Sequence, residues 1–144
     1  MRLITKELEE KIKQFPLGCQ DEKLGRAEVI VKFFNPTGIG TWYITEGEKI
    51  GSSDYELFGY CHLGDDDFAE FGTIYLSELE NLKLPMGMSI EQDLYMPKGI
   101  NLVEALKRDN IKVPDYLIKD YEENHKEKET KVKEKMKRKD NERY

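Results

Sequence analysis

The chain has 144 residues, enough for one domain and too few for a barrel enzyme. Its 23 Lys/Arg and 29 Asp/Glu give a net charge of −6, and 38% hydrophobic with 10% aromatic residues suffice for a real core. No apolar run reaches the ~20 residues of a membrane span, and Met1-Arg2-Leu3-Ile4-Thr5-Lys6 turns charged before a signal-peptide core forms, which predicts a cytoplasmic protein.

Along the chain, Ile4, Leu8, Ile12 and Phe15 fall on one helical face, with Thr5 as N-cap and Pro16 as terminator. From Ala27 the period changes to two, as Ala27, Val29, Val31 and Phe33 alternate with Glu28, Ile30, Lys32 and Phe34. This predicts a strand. Asn35-Pro36-Thr37-Gly38-Ile39-Gly40 is a hairpin turn into a second strand, Thr41–Glu46, and Gly47–Asp54 reads as a polar connection. Tyr55–Leu63 and Glu70–Leu76 read as the third and fourth strands, joined through Gly64-Asp65-Asp66-Asp67. Ser77 with Glu80 predicts a capping box for a short helix, Ile90–Met96 a fifth strand, and Asn101 with Glu104 the cap of a helix to about Arg108. Pro114 opens the last helix.

That helix has an apolar face only at Tyr116, Leu117 and Tyr121; beyond it, acid-before-base pairs four apart such as Glu122/Lys126 and Glu129/Lys133 favour a solvated helix. The predicted fold is α+β, an antiparallel four- to five-stranded sheet packed with short helices plus an extended charged C-terminal helix. Residues 1–96 form the body, 97–121 a helical extension packing on it, and 122–144 a charged tail. Residues 1–118 carry 13 basic and 21 acidic side chains; residues 119–144 carry 10 and 8. The body is acidic, and the tip of the tail is basic.

The centre of the chain resembles a bacterial family known as the domain of unknown function 2958, small proteins of plasmids, integrative elements and phages. The resemblance lies in Val31-Lys32-Phe33-Phe34-Asn35-Pro36, Thr41-Trp42-Tyr43-Ile44-Thr45-Glu46, Phe58-Gly59-Tyr60, Leu76-Ser77-Glu78-Leu79-Glu80 and Ile90-Glu91-Gln92-Asp93-Leu94-Tyr95, and covers roughly residues 3–95. Gln92 departs from it by standing where a basic residue is expected between the acids, and the Lys/Glu tail lies outside it. The resemblance implies a mobile-element accessory protein that counters host defence. It supplies no catalytic residues.

Chemical motifs are sparse. There is no nucleophile elbow, His-Glu-x-x-His or Walker loop, and Gly38-Ile39-Gly40 joins two strands without opening a helix that could hold phosphate. Cys61 and His62 are adjacent in a strand, so they point to opposite faces and do not share an ion; neither metal nor cofactor is expected. Cys19 and Cys61 are expected to be reduced thiols.

Three readings of function follow. The leading one is a non-enzymatic protein-binding module that inhibits a host nucleic-acid-targeting defence system, of anti-CRISPR or anti-restriction type. Its acidic face, Glu46, Glu48, Asp65, Asp66, Asp67 and Glu70, would take the place of phosphates in a basic channel of a host protein or ribonucleoprotein complex. A second places nucleic-acid or ribonucleoprotein contact on Lys131, Lys133, Lys135, Lys137, Arg138 and Lys139 of the tail. The sheet aromatics Trp42, Tyr43, Phe58 and Tyr60 either stack bases or support a second core layer, and the acidity of the body favours the core layer. A third is an enzyme using the strand-end carboxylates Glu46, Glu91 and Asp93, with Glu70 a further candidate. Monomer and homodimer are both compatible with the sequence.

Overall fold

A computed structural model describes residues 3–124 of the chain. Helix α1 (Lys6–Gln14) starts where the Thr5 side chain accepts the Leu8 N–H at 3.1 Å, and it buries Leu8 and Ile12. Strands β1 (Val31–Phe34), β2 (Thr41–Ile50), β3 (Asp54–His62) and β4 (Glu70–Tyr75) form a meander. The two-residue β5 (Glu91–Gln92) returns antiparallel beside β1, giving the sheet order β4-β3-β2-β1-β5. Helices α2 (Leu76–Asn81), α3 (Leu102–Arg108) and α4 (residues 115–124) complete an α+β fold.

Strand alternation sorts the core into two layers. Trp42, Ile44 and Leu57 face one side with Leu8 and Ile12 of α1 and Leu76 and Leu79 of α2. Tyr43 and Tyr60 face the other with Leu102 and Leu106 of α3 and Leu117 of α4. A large side chain moved from water into either layer contributes about 1.5–3 kcal/mol. Both faces of the sheet are therefore occupied by helices. Gly59 lies opposite Ile44, and a side chain there would overlap the Tyr43 carbonyl, which is why Phe58-Gly59-Tyr60 needs its small central residue.

Four local expectations change. Strand β2 continues through the polar Glu48 and Lys49 to Ile50, because their backbones pair with Glu56 and Tyr55 while the side chains stay in water. The segment before Ile30 leaves the sheet: Ile30 still donates to the Ile44 carbonyl at 2.8 Å, but Val29 donates to the Ile100 carbonyl at 2.9 Å and Ala27 accepts from Leu102, so this part of the period-two pattern serves the start of α3. Strand β5 stops at Gln92, since Asp93, whose N–H donates to the Lys32 carbonyl, accepts the Tyr95 N–H with its carboxylate and closes a turn. At α2 the N-cap is Tyr75, and Ser77 instead bonds Asp54 through both its N–H (3.0 Å) and its hydroxyl (2.7 Å), while Glu80 accepts the Leu3 N–H. Asn101 and Glu104 do form their capping box. Pro114 accepts from Leu117 and Ile118 at the start of α4.

Candidate functional site

The hairpin tips after β1 and after β3 lie at the same end of the meander, because Thr41 pairs with His62. Gly64, at φ +100°, lets the second tip pass against Ile39 of the first. The strand then turns through a short 3₁₀ segment, Asp66–Phe68, whose cap is Asp65 accepting the Asp67 N–H at 2.9 Å. His62 Nε2 lies 2.7 Å from Asp66 Oδ1 and takes part in holding the turn. The result is an exposed end where apolar side chains stand among carboxylates: Ile39 is 69% exposed, Leu63 65% and Phe68 81%. A cleft of about 260 Å³ opens beside it, lined by Asp66, Asp67, Ala69, Lys112, Asp115 and Tyr116.

The acidic residues expected to share one face separate into three places. Asp65, Asp66, Asp67 and Glu70 are together and exposed at this end. Glu48 is exposed but lies toward the opposite end of the sheet, directly across from Glu56. Glu46 is not on the surface at all. A bulge between Ile44 and Glu46 turns its carboxylate, 2% exposed, onto the N–H groups of Gly18 (2.9 Å) and Gln20 (2.6 Å). Gln20 in turn bonds Thr45 and Glu28, so Glu46 anchors the loop after α1.

A charge pattern missed by motif reading emerges once β3 and β4 are seen as one edge of the sheet. From Ile50 to Leu82 there are eight carboxylates and no lysine or arginine, whereas the rest of residues 1–118 holds thirteen of each sign. The whole net charge of the body therefore sits on the β3–β4–α2 flank. Within that run Asp54 binds Ser77, Glu80 binds Leu3, Asp65 caps its turn and Asp66 meets His62. The hydrogen bond from Ser77 holds the Asp54 carboxyl below its ordinary pKa. Glu56, Asp67, Glu70 and Glu78 accept no side-chain hydrogen bond and meet no cation among the described residues. These four are the free carboxylates of the flank.

Of the carboxylates put forward for catalysis, Glu46 and Asp93 are committed to partners within the fold. Asp93 and Asp109 meet Lys32 at 3.4 and 2.8 Å, Arg108 lies 3.0 Å from Asp93, and the Tyr43 hydroxyl donates to Asp109 at 2.6 Å. Burial pushes the Asp93 carboxyl up, but the Tyr95 N–H, Arg108 and Lys32 outweigh it and hold it below the ordinary aspartate value. The Tyr43 phenol is raised, first by burial and then by its bond to Asp109. This clasp fastens β1, the turn after β5 and the end of α3 together. Asp93 also lines a cleft of about 380 Å³ beside α1, but Glu91 is exposed on β5 and Glu46 has its own partners, so the three do not converge.

A family model described as a protein of unknown function (DUF2958) matches residues 3–110. The chain belongs to that family. The DUF2958 match runs past the residues that carry the resemblance and takes in the clasp and the whole of α3; α4 lies outside it. No curated protein and no solved structure matches the chain.

In this DUF2958 chain the aromatics weighed as a stacking platform are covered. Trp42 is 6% exposed, and Tyr43 and Tyr60 are fully buried. Phe58 is half-buried and stacks on Phe71 at 5.8 Å. Burial pushes the Tyr60 phenol up to about 12 and the Cys61 thiol to about 11. Among the described residues no three His, Cys, Asp or Glu side chains gather as a metal ion requires, and no helix is long and apolar enough to cross a membrane. The basic set Lys131, Lys133, Lys135, Lys137, Arg138 and Lys139 lies outside the described residues.

Proposed function

We propose that the chain is a non-enzymatic protein-binding module of a mobile element or phage, and that it inhibits a host nucleic-acid-targeting defence complex by presenting the acidic β3–β4–α2 flank to a basic channel. One observation carries this reading: the eight carboxylates and absent cations between Ile50 and Leu82, set beside an otherwise neutral body. A charge spread only for solubility would be interspersed with its opposite sign. Here it is gathered on one flank, next to the exposed Phe68 and Leu63, which would supply the apolar contact that a protein partner needs and a phosphate backbone does not. A basic channel that normally holds phosphates gains most of its affinity from charge, so a surface of this sign competes directly.

The test is affinity capture from a nuclease-treated, defence-equipped bacterial lysate. It compares the wild-type chain, a variant carrying Asp67→Lys, Glu70→Lys and Glu78→Lys, and a chain ending at Tyr121. A stoichiometric protein partner that survives nuclease and is lost with the charge reversal is the expected result. Recovery of nucleic acid alone, lost with the tail, would overturn it in favour of the basic tail as the contact. A partner retained after the charge reversal would remove the flank from the mechanism.

A further inference from the structure

The two edges of the sheet are built differently. On one side β5 has only two residues, and the chain turns away at once as Asp93 closes onto Lys32 and Tyr95. On the other, β4 runs six residues and, among the described residues, pairs only with β3. Among the described residues no backbone hydrogen bond from a turn or loop reaches Glu70–Tyr75.

Proteins ordinarily defend such an edge with a proline, a lysine, a bulge or a covering element. Strand β4 has none of the first three: its register with β3 is unbroken from Glu56/Tyr75 to Cys61/Glu70, and its sequence, Glu-Phe-Gly-Thr-Ile-Tyr, is rich in strand formers. Nothing lies within 4 Å of where a Gly72 side chain would stand, so that sheet face is open at the middle of the strand. The strand is also held firmly from within. Phe71 stacks on Phe58 and meets the Tyr60 ring edge-on at 5.4 Å, Ile74 packs on the first core layer, and Leu76 and Leu79 just beyond are buried. A rigid edge spares an added strand most of the ordering cost on the protein's side.

Charge selects the occupant. Asp67 and Glu70 stand at the start of β4, Glu78 just past its end and Glu56 one strand inward, all four without a cation partner among the described residues. Two copies of this flank would bring like charges together. We infer that the free edge of β4 accepts an extended, lysine- or arginine-bearing segment of a partner protein as a sixth strand, main-chain hydrogen bonds supplying affinity and the flanking carboxylates selecting a basic sequence. This rests on the protein-binding reading above and specifies how the partner is held.

The test uses the full chain and a short synthetic peptide alternating lysine with valine and threonine. It reads backbone amide shifts, amide hydrogen exchange and affinity. The expected result is binding with shifts centred on residues 70–75 and at least roughly tenfold slower exchange at the outward amides of β4. Methylating alternate peptide nitrogens, which removes ladder hydrogen bonds and keeps every charge, is expected to abolish that protection, as is a lysine guard at the exposed position, Thr73→Lys. Equal binding of the methylated peptide would overturn strand addition while leaving an acidic docking flank intact. Equal binding of a peptide with glutamate for lysine would overturn the basic occupant. Protection of the outward β4 amides in a peptide-free dimer would overturn it in favour of a second copy, and no binding by any peptide would overturn the inference while the capture experiment still decides the broader reading.

Discussion

The phenol of Tyr43 donates to Asp109 Oδ2 at 2.6 Å across a separation of 66 residues, joining the middle of the sheet to the end of α3. The same oxygen receives Lys32 at 2.8 Å, and Arg108 approaches both Asp109 and Asp93. Two acids and two bases thus balance one another in a partly buried site. The balance matters because an unpaired charge there is far more costly than the intact cluster is stabilising.

Removing one member of the clasp should show that asymmetry. Tyr43→Phe loses one hydrogen bond to a charged group that keeps its lysine, and it is expected to lower stability by about 1.5 kcal/mol. Lys32→Ala leaves Asp93 and Asp109 short of a cation, with an expected cost of about 3 kcal/mol. Urea unfolding of the two single variants and the double variant measures both, and a double-variant loss smaller than the sum would confirm that they act through Asp109.

The depressed Asp93 carboxyl sets a pH dependence. Its folded value lies below the unfolded one of about 3.9, so its contribution is complete above that value and fades as pH falls through the lower, folded value. Stability measured by urea midpoint is therefore expected to fall below about pH 4. Asp93→Asn should start less stable at neutral pH and lose less on acidification; an identical slope in wild type and variant would contradict the assignment.

Glu46 and Glu48 are two residues apart and should behave oppositely. Glu46→Ala leaves the N–H groups of Gly18 and Gln20 without their acceptor, with an expected loss of about 2–3 kcal/mol and faster proteolysis of the loop after α1. Glu48→Lys faces water across from Glu56 and is expected to change stability by less than about 0.5 kcal/mol, or to raise it slightly. Thermal unfolding of both variants distinguishes an anchor from a surface charge.

Much of this molecule is legible in the chain of residues. The face formed by Leu8 and Ile12, the cap at Thr5, the hairpin at Asn35 to Gly40 and the capping box at Asn101 all follow from interactions within a few residues. So does the division of Trp42 and Ile44 from Tyr43, since strand alternation allows no other outcome. The candidate site was legible only in part. The cluster at Asp65, Asp66, Asp67 and Glu70 is a run in sequence, yet its continuation over Glu56 and Glu78 becomes one flank only when β3, β4 and α2 are folded side by side.

The sequence by itself determined the α+β class, the approximate strand segments and the sign of the charge between Ile50 and Leu82, because periodicity, turn chemistry and composition act locally. Tertiary structure alone decided which acids are surface and which are anchors. A bulge turned Glu46 inward, Ser77 became the partner of Asp54 in place of capping its helix, and Asp93 and Asp109 were claimed by Lys32 and Arg108. The physical reason is that a carboxylate looks the same in sequence whether it meets water or a distant N–H, and only the packed chain brings that N–H within reach.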